Sequence, residues 1–416
     1  MEKPINPGKA RVAILVLLSL MAIAIGGAEV TGQSRPPRID IALAPAPLFD
    51  DPEWHGATDP FVIWNPSRRQ WFMYYTQRRA TMPNPNGVTW VHGSKIGIAT
   101  SPDGIRWSYL GTAKGNHDLS DPLAAKGLGP EPGVTWWAPC FLFQGKTLHM
   151  FVTLVDGVYP NWTGQRHILH FTSADGVTWK YINTCALSSE RVIDPMVYRI
   201  KDTWYMVYKD EAAGSRTYRS ESKDLIEWTR HQPATPDGRQ EAPFVFRWQD
   251  AYWMIVDSVN SKSPGLRIYK SANGIDQWEY KSTILDKADG ARPSDNNVGH
   301  HPGIVVQSTP DGGEQCLLFY FTHQERRTVM QLAELELGAD GKTFCNRNKY
   351  AGSKSNASFR TLPQLYQGSV VQPDPAHPRK LEIENDIEGD GQDGGKAQNL
   401  NPVPPRGLGQ AKTRQQ

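Results

Sequence analysis

A short unit recurs four times in the middle of this chain, and its turn chemistry restricts the fold more than any other feature. The copies are Ser101-Pro-Asp-Gly-Ile-Arg-Trp107, Ser173-Ala-Asp-Gly-Val-Thr-Trp179, Ser222-Lys-Asp-Leu-Ile-Glu-Trp228 and, with one added residue, Ser271-Ala-Asn-Gly-Ile-Asp-Gln-Trp278. Asp-Gly and Asn-Gly supply the positive φ of a tight hairpin turn, and the Trp opens the next strand. A short strand-like run precedes each turn: IGIAT, HILHFT, TYRSE and LRIYK.

A second unit lies upstream of each turn. It starts near a Pro, runs through an apolar strand and a polar turn, and ends in a strand rich in aromatics and Met. Its copies begin at Asp59-Pro-Phe-Val-Ile, Ala138-Pro-Cys-Phe-Leu, Asp194-Pro-Met-Val-Tyr and Glu241-Ala-Pro-Phe-Val-Phe. They continue into WFMYYT, LHMFVT, WYMVYK and YWMIVD. A fifth copy, His301-Pro-Gly-Ile-Val-Val with LLFYFT, has no tryptophan turn after it. Each repeat holds about four short strands and no convincing helix, and four-stranded units at such a period are propeller blades. The reading is therefore all-β: a five-bladed β-propeller of four-stranded antiparallel blades, over residues 45–350. A strand around Ile39–Leu43, in the N-terminal segment 29–44, is a candidate to complete the last blade and close the ring.

Charge excludes some partners. With 45 basic and 43 acidic residues in 416, nothing favours nucleic acid or an anionic membrane. Residues 1–28 combine Lys3, Lys9 and Arg11 with the apolar run VAILVLLSLMAIAIGGA, which reads as a signal peptide and places the protein outside the cytoplasm, secreted or periplasmic. An uncleaved anchor is the alternative, but the run is near the lower length limit for spanning a bilayer. Beyond the signal segment no membrane partner is expected. The C-terminal extension 351–416 is poor in large apolar residues from about Pro373 and is expected to be disordered there. Cys140, Cys185, Cys316 and Cys345 contain no CxxC, so a metal cluster is not expected. Export permits a disulfide, Cys316 with Cys345 among the options, but spacing alone pairs none of them.

The first strand of each propeller blade lines the axis, so the residues starting those strands converge. Here they are Asp59, Ala138, Asp194, Glu241 and His301. An Asp-Pro alone is a turn signal; three acids at equivalent points of a repeat are not so easily dismissed. Converging carboxylates suit glycoside hydrolysis, in which one acid protonates the leaving oxygen and another stays ionised. Neighbouring like charges drive such pKa values apart.

On these motifs the chain resembles the five-bladed β-propeller glycosidases, families 43 and 32 and their relatives, over roughly residues 45–345. The resemblance to family 43 implies a general base at Asp59 in ATDPFVIW, a pKa-tuning acid at Asp194 in RVIDPMVY and a general acid at Glu241 in QEAPFVFRW. The Trp137-Ala-Pro of the second repeat fits the same family, whose members usually invert. Family 32 carries N-D-P-N, R-D-P and E-C motifs that this sequence lacks, which disfavours the retaining reading. The blade-five run Asn296-Asn-Val-Gly-His300-His301-Pro departs from a single His. In the related family 117 a His has the acid role, so His300 or His301 is a second candidate, with a plain channel plug as the bland alternative.

A sugar site also needs rings to stack on sugar faces and side chains to bind hydroxyls. The candidates are Trp54 and His55 before the first acid, Trp136 and Trp137, of which one should face the mouth, and Arg292 and Asn296 before the fifth repeat. No cofactor is required and no metal motif is visible; the resemblance allows an axial Ca2+ near His301. The expected partner is an oligo- or polysaccharide of plant or algal type, and the oligomeric state is left open. Three other readings remain. A non-catalytic carbohydrate-binding propeller would bind glycans without turnover. A sialidase-like hydrolase would need a Tyr nucleophile and an Arg trio that cannot be placed, and the turns lack one residue of its Asp box. A phosphorylase would need a basic cluster at the mouth.

The 14 Trp all fall between Trp54 and Trp278. Nine belong to the repeat, at positions where each blade buries the same interface. Trp54, Trp90, Trp136, Trp137 and Trp162 have no place in it.

Overall fold

The computed structural model describes residues 35–116, 133–260 and 262–352. The expected signal peptide, residues 29–34 and the extension from residue 353 onward lie outside them. The sheets belong to the compact unit that begins at Pro36.

Runs of β-branched and aromatic residues broken by Gly, Asp, Asn and Pro become strands, and these pair in chain order. Blade I holds β1 (Ala57–Asn65), β2 (Gln70–Gln77), β3 (Lys95–Ser101) and β4 (Ser108–Thr112). After β5 (Lys114–Asn116), blade II holds β6 (Thr135–Gln144), β7 (Thr147–Val155), β8 (Arg166–Ser173) and β9 (Thr178–Thr184), with β5 added in parallel to β9. Blade III is β10 (Val192–Ile200), β11 (Thr203–Asp210), β12 (Arg216–Ser222) and β13 (Thr229–Pro233). Blade IV is β14 (Gln240–Trp248), β15 (Ala251–Ser258), β16 (Leu266–Ser271) and β17 (Glu279–Ile284). Blade V is β18 (Gly299–Ser308), β19 (Glu314–Gln324), β20 (Arg327–Leu337) and β21 (Thr343–Cys345). The first strands neighbour one another around the axis in the order β1, β6, β10, β14, β18 and back to β1. The five-bladed reading holds.

Ring closure differs from the expectation. Ile41–Leu43 is a 3-10 turn capped by the Asp40 carboxylate, which accepts from the Ala42 N–H. Pro45 and Pro47 follow and lack the donors a strand would need. The fourth strand of blade V is β21, and the stretch before β1 meets the blade through two isolated bridges, Phe49 with Met330 and Gly56 with Thr328. It is tied down further by side chains, since Gln307 bonds both the N–H and the carbonyl of Ile39.

The repeated turns are longer than a two-residue hairpin, because side chains replace the missing ladder bonds. The Asp103 carboxylate accepts from the N–H groups of Ile105 and Arg106, and the Ser101 hydroxyl accepts from Gly104 N–H. The same pattern recurs at Ser173/Asp175, Ser222/Asp224 and Ser271/Asn273. The positive φ is confirmed at Gly104, Gly176 and Gly274, and Leu225 takes it in the third copy.

The blade interfaces bury the repeat tryptophans. Between blades I and II, Tyr74 stacks on Phe141 at 3.7 Å, Trp179 packs against both, and the Tyr74 hydroxyl donates to the Gly176 carbonyl. A Cβ on Gly176 would lie 2.6 Å from that hydroxyl, so the position requires glycine. Trp228 meets Phe151 edge-on at the next interface. All four cysteines are free thiols. Cys316 and Cys345 both sit opposite Leu335, on strands flanking β20, and two strand spacings are too far for a disulfide.

These interfaces predict unequal costs for one substitution in two copies of the turn. Trp179→Ala, at a fully buried site, should lower the unfolding free energy by about 3–5 kcal/mol. Trp107→Ala, half-buried, should cost clearly less. Denaturant unfolding with an unchanged m-value measures both, and equal losses would contradict the packing described.

Candidate active site at the axis

Every first strand carries a bulge at the same place. The pairing shifts between Thr58 and Phe61, Trp137 and Cys140, Ile193 and Met196, Glu241 and Phe244, and His300 and Gly303. The extra residues are Asp59-Pro60, Ala138-Pro139, Asp194-Pro195, Ala242-Pro243 and His301-Pro302. In each, the residue before the Pro is left-handed, with φ of 55°, 44°, 58°, 51° and 45°. Pro has no N–H to lose, so the bulge settles where it stands. A left-handed non-glycine residue costs about 1–2 kcal/mol, and here four of the five are held in it by the blade before them. The N–H of Ala138 donates to Thr76 Oγ1, that of Asp194 to Thr153 Oγ1, that of Ala242 to Asp194 Oδ2 and that of His301 to Asp257 Oδ2.

This register corrects the sequence alignment at one acid. The residue equivalent to Asp59 and Asp194 is Ala242, because Pro243 fixes the bulge. Glu241 stands one place earlier, matching Thr58, Trp137, Ile193 and His300. The three acids nevertheless act on one another electrostatically, as does His301.

Each acid has a different environment. Asp59 Oδ1 lies 3.2 Å from His301 Nδ1 and 3.7 Å from Arg78 Nη2. Burial opposes its ionisation, but the two cations overcome this and hold the carboxyl well below the usual carboxylate range. Asp194 is buried beside Glu241 and Asp59. Burial lifts it to about 7, with His301 and Lys209 opposing the rise and Glu241 and Asp59 adding to it. Glu241 Oε2 accepts from Lys209 Nζ at 3.1 Å, and that ammonium outweighs burial and keeps Glu241 low. Asp194 thus holds its proton to higher pH than Glu241, which Lys209 contacts directly. Burial would depress His301, but Asp59 raises it to about 9. Asp257 likewise raises His300, at 3.1 Å.

The other expected residues divide. Trp137 lies at the axis end, its indole N–H donating to the Val91 carbonyl, among His92, Trp162 and the guanidinium of Arg166. Strand alternation sends Trp136 into the core against Phe171. His55 pairs with Asp50, and the backbone of Trp54 is bonded to Asp51 and Thr81. Arg292 is committed to Asp295 and to the carbonyl of Arg347, and Asn296 is exposed at the end of the Pro293–Asp295 turn. Among the described residues, no three His, Cys, Asp or Glu side chains cluster as a metal site. A separate groove of about 650 Å³, lined by Leu48, Phe49, Trp107 and Tyr109 among others, lies at the N-terminal segment, away from the acids.

Sequence reasoning missed Lys209, Asp257 and Arg78. A signal for the first two was present. Thr76, Thr153, Lys209 and Asp257 end the aligned runs WFMYYT, LHMFVT, WYMVYK and YWMIVD, and each pairs with the residue before a bulge.

No protein-family model matches the sequence, and no curated protein matches it. Solved structures do. A thermostable family-43 glycoside hydrolase is 18% identical with a TM-score of 0.51, covering 70% of this chain and 93% of its own. A family-43 β-1,3-galactosidase with galactodeoxynojirimycin is 13% identical at 0.52, over 70% and 93%. A xylan β-1,4-xylosidase from Bacillus halodurans is 14% identical at 0.51, over 71% of this chain and 56% of that one.

The Asp59–His301 pair makes a direct prediction. Its contribution to stability is full below the ordinary histidine pKa and is lost as pH rises through about 9. Asp59→Asn should lower the His301 midpoint by about 1–3 units, read from its imidazole resonance by NMR. An unchanged midpoint would refute the pairing. At identities of 13–18% the structural likeness assigns the architecture: this chain has the five-bladed propeller fold seen in family-43 glycoside hydrolases.

Proposed function

We propose that this chain is an exported glycoside hydrolase acting on plant or algal type oligo- or polysaccharides with inversion. The observation that carries the reading is that Asp59, Asp194 and Glu241 act on one another at the starts of the inner strands, with Asp59 held ionised by His301 and Arg78. Glycosidic cleavage needs one carboxylate kept ionised and a second that delivers a proton. In this reading Asp59, kept ionised, orients and deprotonates a water on one side of the sugar. Glu241 protonates the leaving oxygen on the other. Asp194, beside Glu241, tunes it through the proton the two compete for, while holding the Ala242 N–H, which fixes the backbone beside the acid. Arg78, whose ion pair with Asp59 spans 3.7 Å, has further N–H donors for hydroxyls. The fold likeness to a galactosidase and a xylosidase supports a carbohydrate substrate.

A second reading has an observation of its own. Asp59 and Glu241 are each ion-paired already, as suits a propeller that binds glycans without cutting them. Turnover decides between the two. Asp59→Ala and Glu241→Ala should each reduce glycan cleavage by about 10²–10⁴-fold with little change in the thermal melt. Cleavage equal to wild type in both variants would refute the assignment. Glycan binding with no cleavage by the wild type would favour the binding propeller.

A further inference from the structure

Glu241 presents a difficulty for the reading above. A general acid must carry a proton, yet Lys209 Nζ lies 3.1 Å from Glu241 Oε2 and favours the carboxylate. The same ammonium lies 3.5 Å from Glu211 Oε1. Glu211 does not drift: its other oxygen is held by Arg166 Nη1 at 2.6 Å and by Arg191 Nη2 at 3.3 Å. Arg166 is fully buried and lies against the Trp137 ring. An alternating chain of charge, Arg166–Glu211–Lys209–Glu241, thus runs from the aromatic cluster to the acid. Lys209 is buried, and Glu241 retains 28% side-chain exposure, so solvent reaches the end of the chain where the proton must arrive.

We propose that Lys209 is a positioning residue that shares its ammonium between Glu241 and Glu211, and so withholds the acid function of Glu241 until a sugar is bound. The proposal rests on Glu241 being the acid. The remaining groups acting on Glu241 are Asp194 from β10, Asp59 from β1, His300 and His301 from β18, and Asp257, which pairs with it across β14 and β15. A sugar over the site strips water from Glu241 and leaves Lys209 on its second partner. Burial then disfavours the carboxylate, and Glu241 takes a proton from solvent. It passes that proton to the glycosidic oxygen, which keeps the electron pair of the breaking C–O bond. Water adds at the anomeric carbon and loses its proton to Asp59.

Two variants act on opposite ends of the shared ammonium. Lys209→Met should raise the Glu241 midpoint in the sugar-free protein and move the alkaline limb of kcat/KM to higher pH by about 1–3 units. Glu211→Gln should leave Lys209 to Glu241 alone and move both quantities down. Carboxyl NMR on the full chain reads the first quantity and pH–rate profiles the second. A purely structural role would not send the two variants in opposite directions. Unchanged midpoints, or shifts of the same sign, overturn the proposal. Opposite NMR shifts without cleavage of any glycan keep the shared ion pair and reject the hydrolase reading, so the two failures are distinguishable.

Discussion

The site depends on one backbone constraint, a bulge at the start of every inner strand with a left-handed residue before a Pro. A regular strand would alternate these side chains between the two faces of its sheet. The bulge re-aims them, so Asp59, Asp194 and His301 occupy equivalent places around the axis. The bulge also ties the blades together. The strained N–H of one blade is satisfied by a side chain of the blade before it, in four consecutive cases. In two of these the acceptor is a carboxylate, Asp194 or Asp257. Fold and chemistry therefore share atoms: Asp194 shapes the electrostatics while it holds the backbone of blade IV.

That sharing explains the division among the acids. They are buried together, where like charges raise one another and only an adjacent cation keeps a carboxylate ionised. Blade V supplies His301 to Asp59, and blade III supplies Lys209 to Glu241. Asp194 feels both cations too, but burial outweighs them and raises it instead. The tryptophans that dominate the middle of the sequence serve mainly to hold the blades in this arrangement. Trp136 and Trp179 are interior, and Trp137 is the one of the adjacent pair that reaches the axis end.

Much of this was legible in the sequence because a repeat turns local signals into spatial ones. Asp-Pro alone says only that the chain turns; Asp-Pro in the same column of two repeats places Asp59 and Asp194 at one end of one axis. The misreadings have physical causes. Glu241 was aligned by its charge, whereas the column is set by proline: Pro60, Pro139, Pro195, Pro243 and Pro302 stand in register. Ile39–Leu43 has strand composition, but the Asp40 cap and the following prolines favour a 3-10 turn. Arg292 lies in the loop leading to blade V, yet an acid three residues on already holds it. Lys209 and Asp257 were passed over as strand ends, although their column also holds Thr76 and Thr153, which bond the neighbouring bulges.

The most direct test of the account is to follow this protein with plant and algal oligosaccharides by proton NMR and observe the anomer released at first turnover. Separated base and acid roles for Asp59 and Glu241 predict a new reducing sugar of inverted configuration. Release with retained configuration would make one carboxylate a nucleophile and contradict the assignment. Bound but intact oligosaccharide would contradict hydrolysis itself.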